Sequence, residues 1–244
     1  MKGVVLAGGL GSRLLPLTKV TNKHLLPVHD QPMIYYPIRS LVNAGIREIL
    51  LVTGGNNAGD FLRLLGNGRE FGLERLHYAY QEGEGGIAEA LALAGPFADH
   101  SAVCVILGDN LIQGNIVEAA RDFDADPTGA LLMLKEVDDP ERFGVARFEG
   151  DRLVDIIEKP KDPPSAHAVI GIYFYDHEVF EIIPQLEASE RGELEITDVN
   201  NHYLRAGKLR WRQLEGWWTD AGTFTSLSRA NRLVAEGGAN RTDL

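Results

Sequence analysis

Three glycines and an arginine follow a short apolar run in Leu6-Ala7-Gly8-Gly9-Leu10-Gly11-Ser12-Arg13. Bare backbone N–H groups in such a loop can close on phosphate oxygens, and Arg13 adds a charged fork of donors beside them. Spacing excludes two other phosphate loops. No Gly-Lys-[Ser/Thr] follows, and the glycines do not fit G-x-G-x-x-G. Thr53-Gly54-Gly55 stands where a dinucleotide fold would want an acid after its second strand. Lys23 is a second cation within reach of the same phosphates, and Pro16 and Pro27 on either side of it predict an extended loop rather than a helix.

Two carboxylates are placed for related chemistry. Asp109 ends the apolar run Ala102 to Leu107 through Gly108, and Asp220 lies beyond Trp217-Trp218 in a segment closed by Gly222. Carboxylates at strand ends sit where an open α/β sheet binds its ligand. Glu158-Lys159-Pro160 follows a third apolar segment containing Ile156-Ile157 and sets a carboxylate beside a cation. The formal charge of −11, from 24 Lys and Arg against 35 Asp and Glu, gives a mean field that repels nucleic acid and anionic lipid. A polyphosphate must therefore be held by a local cluster of cations. Cys104 is the single cysteine and lies in an apolar run, which excludes an intrachain disulfide and reads as core packing. No segment has the length of a membrane span, and the N-terminal apolar stretch is too short for a signal peptide, so the expectation is a cytoplasmic protein with no membrane partner.

These residues need a scaffold that brings strand ends together. Val4 to Ala7 reads as a buried strand, Met33 to Ala44 as a helix capped by Gly45, and Glu48 to Val52 as the next strand. The alternation continues with Phe61 to Leu65 (helix), Leu76 to Gln81 (strand), Ile87 to Ala94 (helix) and Ala102 to Leu107 (strand). Such alternation predicts a Rossmann-like three-layer α/β/α architecture around a mixed, mostly parallel sheet. From about Gly129 the strand-like segments Ala130–Glu136, Gly144–Phe148, Leu153–Ile157 and Ile170–Tyr175 are closely spaced, which predicts a mixed or antiparallel half extending the same sheet and covering the cleft. The reading is one domain over residues 1–236, in two parts that meet at about 128–129 where the texture changes, and a frayed tail over 237–244.

The ordered motifs Gly8 to Leu14, Pro16-Leu17-Thr18, Lys23 to Val28, Gln31 to Pro37, Leu107 to Asn110, Asp139 to Val145, Glu158 to Pro160, Arg191 to Asp198 and Trp218 to Thr223 resemble the sugar-1-phosphate nucleotidyltransferases of bacteria, above all the branch that makes dTDP-glucose. That resemblance implies a nucleoside triphosphate, dTTP or else UTP, and a sugar 1-phosphate as substrates, and Mg²⁺ held jointly by Asp109 and Asp220. It assigns Leu6, Gly8, Gly9, Gly11, Ser12, Arg13, Gln81, Gly86 and Asp109 to the nucleotide. It assigns Leu107, Gly144, Glu158, Lys159, Val169, Arg191 and Trp218 to the sugar phosphate, with Arg13, Lys23, Asp109, Lys159 and Asp220 as the catalytic set. A nucleotide-binding part to about residue 128, a sugar-phosphate-binding part over about 129–236, and a homo-oligomer, dimer or tetramer, are implied as well.

Departures bear on detail. His24 stands where these enzymes have glutamine, Phe143 where they have tyrosine, and Glu82-Gly83 differs from their base-loop residues, so the preferred base is left open. Longer members continue into a C-terminal helical segment tied to feedback inhibition and assembly; with the sequence ending soon after Leu227 to Leu233, that regulation is expected to be absent or reduced. Two other classes compete. A non-catalytic sugar-nucleotide sensor should lose a metal ligand or Arg13, and a metal-dependent glycosyltransferase usually shows Asp-x-Asp where Asp109-Asn110-Leu111 stands.

Overall fold

In the computed structural model, which describes residues 1–55 and 57–243, the strands are β1 (Lys2–Ala7), β2 (Pro27–Val28), β3 (Gln31–Pro32), β4 (Glu48–Gly54), β5 (Arg75–Gln81), β6 (Val103–Leu107), β7 (Asn110–Ile112), β8 (Ala130–Glu136), β9 (Gly144–Glu149), β10 (Arg152–Glu158), β11 (His167–Tyr175), β12 (Leu209–Gln213) and β13 (Trp218–Asp220). The α-helices are α1 (Tyr35–Asn43), α2 (Ala58–Leu65), α3 (Ile87–Ala92), α4 (Gly95–Ala98), α5 (Val117–Ala125), α6 (Val179–Ile182), α7 (Ile196–Arg205) and α8 (Phe224–Gly237).

Both faces of β1 are apolar because both are covered. Val4 and Leu6 pack with Ala88, Leu91, Val199 and Tyr203 on one side, while Val5 and Ala7 pack with Ile38, Leu41, Phe61, Leu65 and Phe123 on the other. Side chains alternate across a strand, so a run apolar at every position demands helices on two faces. Helices α3 and α7 therefore cover one face of the sheet and α1, α2 and α5 the other, the expected three layers. Strand order is β10-β9-β11-β6-β1-β4-β5, with β8 pairing β11 and β12. Pairs β1–β4, β1–β6 and β4–β5 are parallel, and β11 joins β6, β8 and β9 antiparallel. The second half thus extends the first sheet, as its closely spaced strands predicted.

One strand makes the opening. Strand β11 pairs β6 through Ile172–Tyr175 and β9 through Ala168 and Val169, with its register to β8 shifting between Val169 and Tyr173. The last residue of β6, Leu107, and the first of β9, Gly144, face each other across a gap centred on Gly171. A Cβ on Gly171 would lie 2.6 Å from Leu107, so that gap tolerates no side chain there.

Two expectations are corrected. The Arg13–Pro27 segment is not extended: it folds into three 3₁₀ turns, Ser12–Leu14, Leu17–Lys19 and Lys23–Leu25. Leu14 and Leu26 anchor them in a third apolar cluster beneath α8, together with Met33, Tyr36 and Leu111. The segment following Gly237 is docked at Asn240 rather than frayed there. Asn240 donates to Tyr36 O (2.9 Å), accepts from Ser40 Oγ (3.0 Å) and from Asn43 Nδ2 (3.0 Å), and its N–H reaches Ile112 O (3.0 Å). Among the described residues, no helix is long and apolar enough to cross a membrane.

Candidate active site

The C-terminal ends of β1, β5 and β6 deliver Leu6, Gln81 and Leu107 to one cavity of about 620 Å³. All the residues singled out from the sequence line it except Gly11 and Ser12. Those two shape the loop instead. Gly11 sits at φ 64°, where a Cβ would meet Thr18 Cγ2 at 2.8 Å, and the Thr18 hydroxyl donates to Gly11 O (2.9 Å). The tight turn aims Arg13 into the cavity while Leu14, fully buried, pins the loop from below.

Gly8 makes room for Gln81: a Cβ would stand 2.7 Å from Gln81 Oε1. Gln81 in turn donates to Gly86 O (3.3 Å). Gly86 adopts φ 99° against the Leu194 backbone, and Leu194 N–H donates to Gly85 O (2.8 Å), so the segment after β5 is tied to the one before α7. Glu84 accepts the Leu10 N–H (2.9 Å) across the mouth of the glycine loop.

Four side chains gather opposite. Lys23 Nζ donates to Asp109 Oδ2 at 2.6 Å, a pair with side chains 15% and 12% exposed. Burial is the largest single influence on the Asp109 carboxyl and pushes it up, but Lys23, foremost among its polar neighbours and joined by the Asn110 amide, tips the balance and holds the group well below the usual carboxylate range. His24 is displaced the other way: burial first, then Lys23, lowers it to about 3, so it is neutral at pH 7. Asp220 ends β13, whose register sets it beside Asn110 of β7, and Ala221 N–H donates to Asp109 O (2.9 Å). A Cβ on Gly222 would lie 3.2 Å from Asp220 Oδ2, 3.3 Å from Asp109 Oδ2 and 3.3 Å from Arg13 Nη2. Both carboxylates and the guanidinium therefore surround one point, and only glycine leaves it open. Two ionised hard-oxygen donors suit Mg²⁺, which keeps waters and shares phosphate oxygens. Among the described residues no group of three His, Cys, Asp or Glu is placed to cage a metal by itself. The donor set thus fits an ion completed by substrate rather than one sealed in protein.

Across the gap beside β11 lies a second cationic group. Glu158 ends β10 and accepts from Thr197 Oγ1 (2.5 Å), while its other oxygen meets Lys159 Nζ at 3.2 Å and Arg191 Nη2 at 3.7 Å. Lys159 takes φ 43°, stabilised by its N–H donating to Phe143 O (2.9 Å). Arg191 also meets Glu195 at 2.8 Å and Glu193 at 3.3 Å, so its charge is more heavily countered than that of Lys159.

Sequence reasoning missed Arg142, His24, Asn110, Tyr173 and Thr197, which line the same cavity. Arg142 reaches both oxygens of Asp220, at 3.0 and 3.1 Å, and lies over the Phe143 ring, which packs edge-on against Trp218. Asn110 accepts from Trp218 Nε1 (2.8 Å) and from Gly171 N–H (3.1 Å). Arg142, His24, Asn110 and Thr197 belong to motifs already singled out, and their position there was the available signal; Tyr173 lies in the strand-like segment Ile170–Tyr175, where nothing local marks it.

The chain matches the family described as Nucleotidyl transferase over residues 2–237. It is 45% identical over 238 residues, 96% of this chain and 82% of the relative, to a glucose-1-phosphate thymidylyltransferase of Neisseria meningitidis, and 45% identical over 243 residues, 97% and 80%, to one of an Actinoplanes strain. A Bacillus anthracis structure assigned as a glucose-1-phosphate thymidylyltransferase, in complex with a sucrose, superposes with a TM-score of 0.92 at 50% identity, covering 97% of this chain and 96% of that one. A UDP-glucose pyrophosphorylase shares the fold, with a TM-score of 0.86 at 24% identity over 96% and 98% of the two chains. Two strand-end carboxylates facing a glycine loop, and a match spanning nearly every element that positions them, lead to one assignment: the chain belongs to the Nucleotidyl transferase family and is an enzyme of that kind.

Proposed function

We propose that the protein transfers the thymidylyl group of dTTP to glucose 1-phosphate, giving dTDP-glucose and pyrophosphate. The convergence of Arg13, Asp109 and Asp220 about Gly222, with Lys159 and Arg191 across the gap, carries this reading. It is supported by relatives at 45% identity that bear the corresponding name. The residues to about 128 hold the nucleotide and those from about 129 to 236 the sugar phosphate.

A phosphate oxygen of the sugar phosphate forms a bond to the α-phosphorus as the bond from that phosphorus to the α–β bridging oxygen breaks, and pyrophosphate leaves with the electron pair. The attacking oxygen is already anionic, so neither a protein nucleophile nor a general base is needed. Catalysis lies in bringing two anions together in line and neutralising them. Lys159, helped by Arg191, holds the attacking phosphate. Arg13 and the glycine-loop N–H groups hold the triphosphate, and Lys23 stands between. Asp109 and Asp220 would hold Mg²⁺, which supplies charge to the α-phosphate and leaving group. Glu158 accepts from sugar hydroxyls, and its bond from Thr197 fixes that carboxylate in place.

Thymine and uracil present the same edge to Gln81, so UTP is the second substrate to test. Pyrophosphate release is measured with glucose 1-phosphate against dTTP, UTP, CTP, ATP and GTP, with and without Mg²⁺. Release is expected with dTTP and Mg²⁺; no release from any pair would favour a sugar-nucleotide sensor instead.

A further inference from the structure

Among the described residues, Arg142 is the cation at the cleft that lies on a wall between the main cavity and a smaller one. Arg142, Phe143, Trp218 and Asp220 line both the main cavity and a side cavity of about 80 Å³, whose remaining lining includes Asp139, Thr223, Ser226 and Arg229. Its Nη2 is bonded to both oxygens of Asp220, while Nη1 is held at 2.7 Å by Asp139. Asp139 lines the side cavity only. Asp109 is occupied in parallel fashion by Lys23 at 2.6 Å. Both carboxylates proposed to hold the divalent ion are thus already countered by protein cations.

That arrangement solves one problem and creates another. Two carboxylates around one open point repel each other, and a cation on each relieves the repulsion while the site holds no metal. A divalent ion entering between them meets two positive groups on its own ligands. A guanidinium that kept both bonds to Asp220 would leave that carboxylate few lone pairs to offer and would repel the ion at short range.

We infer that Arg142 is a place-holding cation: it occupies Asp220 in the metal-free enzyme, yields that carboxylate as the divalent ion arrives, and is kept at hand by Asp139. The side cavity gives the released guanidinium somewhere to go without crossing the main cleft. Its stack on Phe143, centred 5.0 Å away, lets the plane rotate while keeping contact with the ring. Arg142 is in this sense a positioning residue that sets how tightly the free enzyme takes its metal. The inference rests on Asp220 being a metal ligand.

The distinguishing readout is the affinity of the substrate-free enzyme for Mn²⁺, followed by the loss of the free-ion signal in electron paramagnetic resonance. Arg142→Met is expected to bind Mn²⁺ about tenfold more tightly than the unaltered protein, about 1.4 kcal/mol, and to gain more in Tm on adding Mn²⁺. Arg142→Gln stands in if the methionine variant does not fold without metal, and Arg142→Lys, which keeps the charge, should bind more weakly than either. An ion pair that merely braced Asp220 gives the opposite sign: its loss would weaken Mn²⁺ binding. Unchanged or weaker binding by the neutral variant overturns the inference. Asp220→Asn separates that failure from failure of the metal site itself: it must weaken Mn²⁺ binding, and if it does not, the assignment of Asp220 as a ligand is at fault.

Discussion

Replacing Lys23 with methionine keeps the stem and removes the ammonium, leaving Asp109 buried with its nearest countercharge gone. Removing one partner of a buried pair costs about 3–5 kcal/mol. The lower end applies here because Arg13 Nη2 and Asp109 Oδ2 lie about the same point beside Gly222. His24 cannot stand in near neutral pH, since burial, more than Lys23, is what lowers it to about 3. For a chain of this size ~3 kcal/mol corresponds to a drop in Tm of roughly 6–12 °C. The pH dependence fixes the cause. In the unaltered protein the depressed Asp109 carboxyl contributes stability that is present above its unfolded value of about 3.9 and is lost as pH falls through the folded value. Without Lys23 burial dominates, the folded value rises above the unfolded one, and the penalty grows as pH rises. The difference in Tm between the two proteins should therefore widen from pH 5 to pH 8, measured by circular dichroism. Lys23→Met with Asp109→Asn removes the stranded charge and should recover most of the loss. A Tm difference that is absent, or equal at the two pH values, would refute the argument.

Further outcomes follow from the same geometry. Arg13→Ala and Asp109→Asn should each lower turnover by about 10²–10³ while the far-ultraviolet spectrum stays unchanged; near-normal pyrophosphate release by either would remove it from the catalytic set. Gly8→Ala puts a methyl 2.7 Å from Gln81 Oε1 and should raise the KM for the nucleotide more than that for the sugar phosphate. The expected rise is roughly tenfold, about 1.4 kcal/mol of lost binding, and an unchanged nucleotide KM would place Gln81 outside base recognition. Asn240→Ala strips the side-chain bonds to Tyr36 and Ser40 and should cost about 1–3 kcal/mol in urea unfolding. No change would mean the docked segment contributes nothing to the fold.

The layers were legible because β1, β4 and β6 are apolar at nearly every position, a pattern only a sheet covered on both faces produces. Asp109 and Asp220 could be singled out because each stands in a motif, Leu107 to Asn110 and Trp218 to Thr223, that resembles the family's; alone, an aspartate beside a glycine reads as a turn residue. What escaped was set by distant partners. Asn240 docks through Tyr36, Ser40 and Asn43, some two hundred positions earlier, and no local pattern in a Gly-Gly-Ala-Asn stretch announces that. Arg142 reads as one charge among Asp138, Asp139 and Glu141 until β13 brings Asp220 to it across the fold. The turns between Arg13 and Pro27 were misjudged because the prolines speak only for their own φ angles, whereas Leu14 and Leu26 are drawn inward by α8.

The short ribbon of β7 and β13 joins residues more than a hundred positions apart through the pairs Trp218–Ile112, Thr219–Leu111 and Asp220–Asn110. A nascent chain that has emerged only as far as β7 already carries the glycine loop, Arg13, Lys23 and Asp109, yet it has half of its candidate metal pair. The second carboxylate is delivered by β13, just before α8 closes over the loop from beneath. A chain cut before β13 thus keeps Arg13, Lys23 and Asp109 but lacks the carboxylate proposed to complete the metal pair, and the proposed chemistry waits on a contact closed across more than a hundred positions.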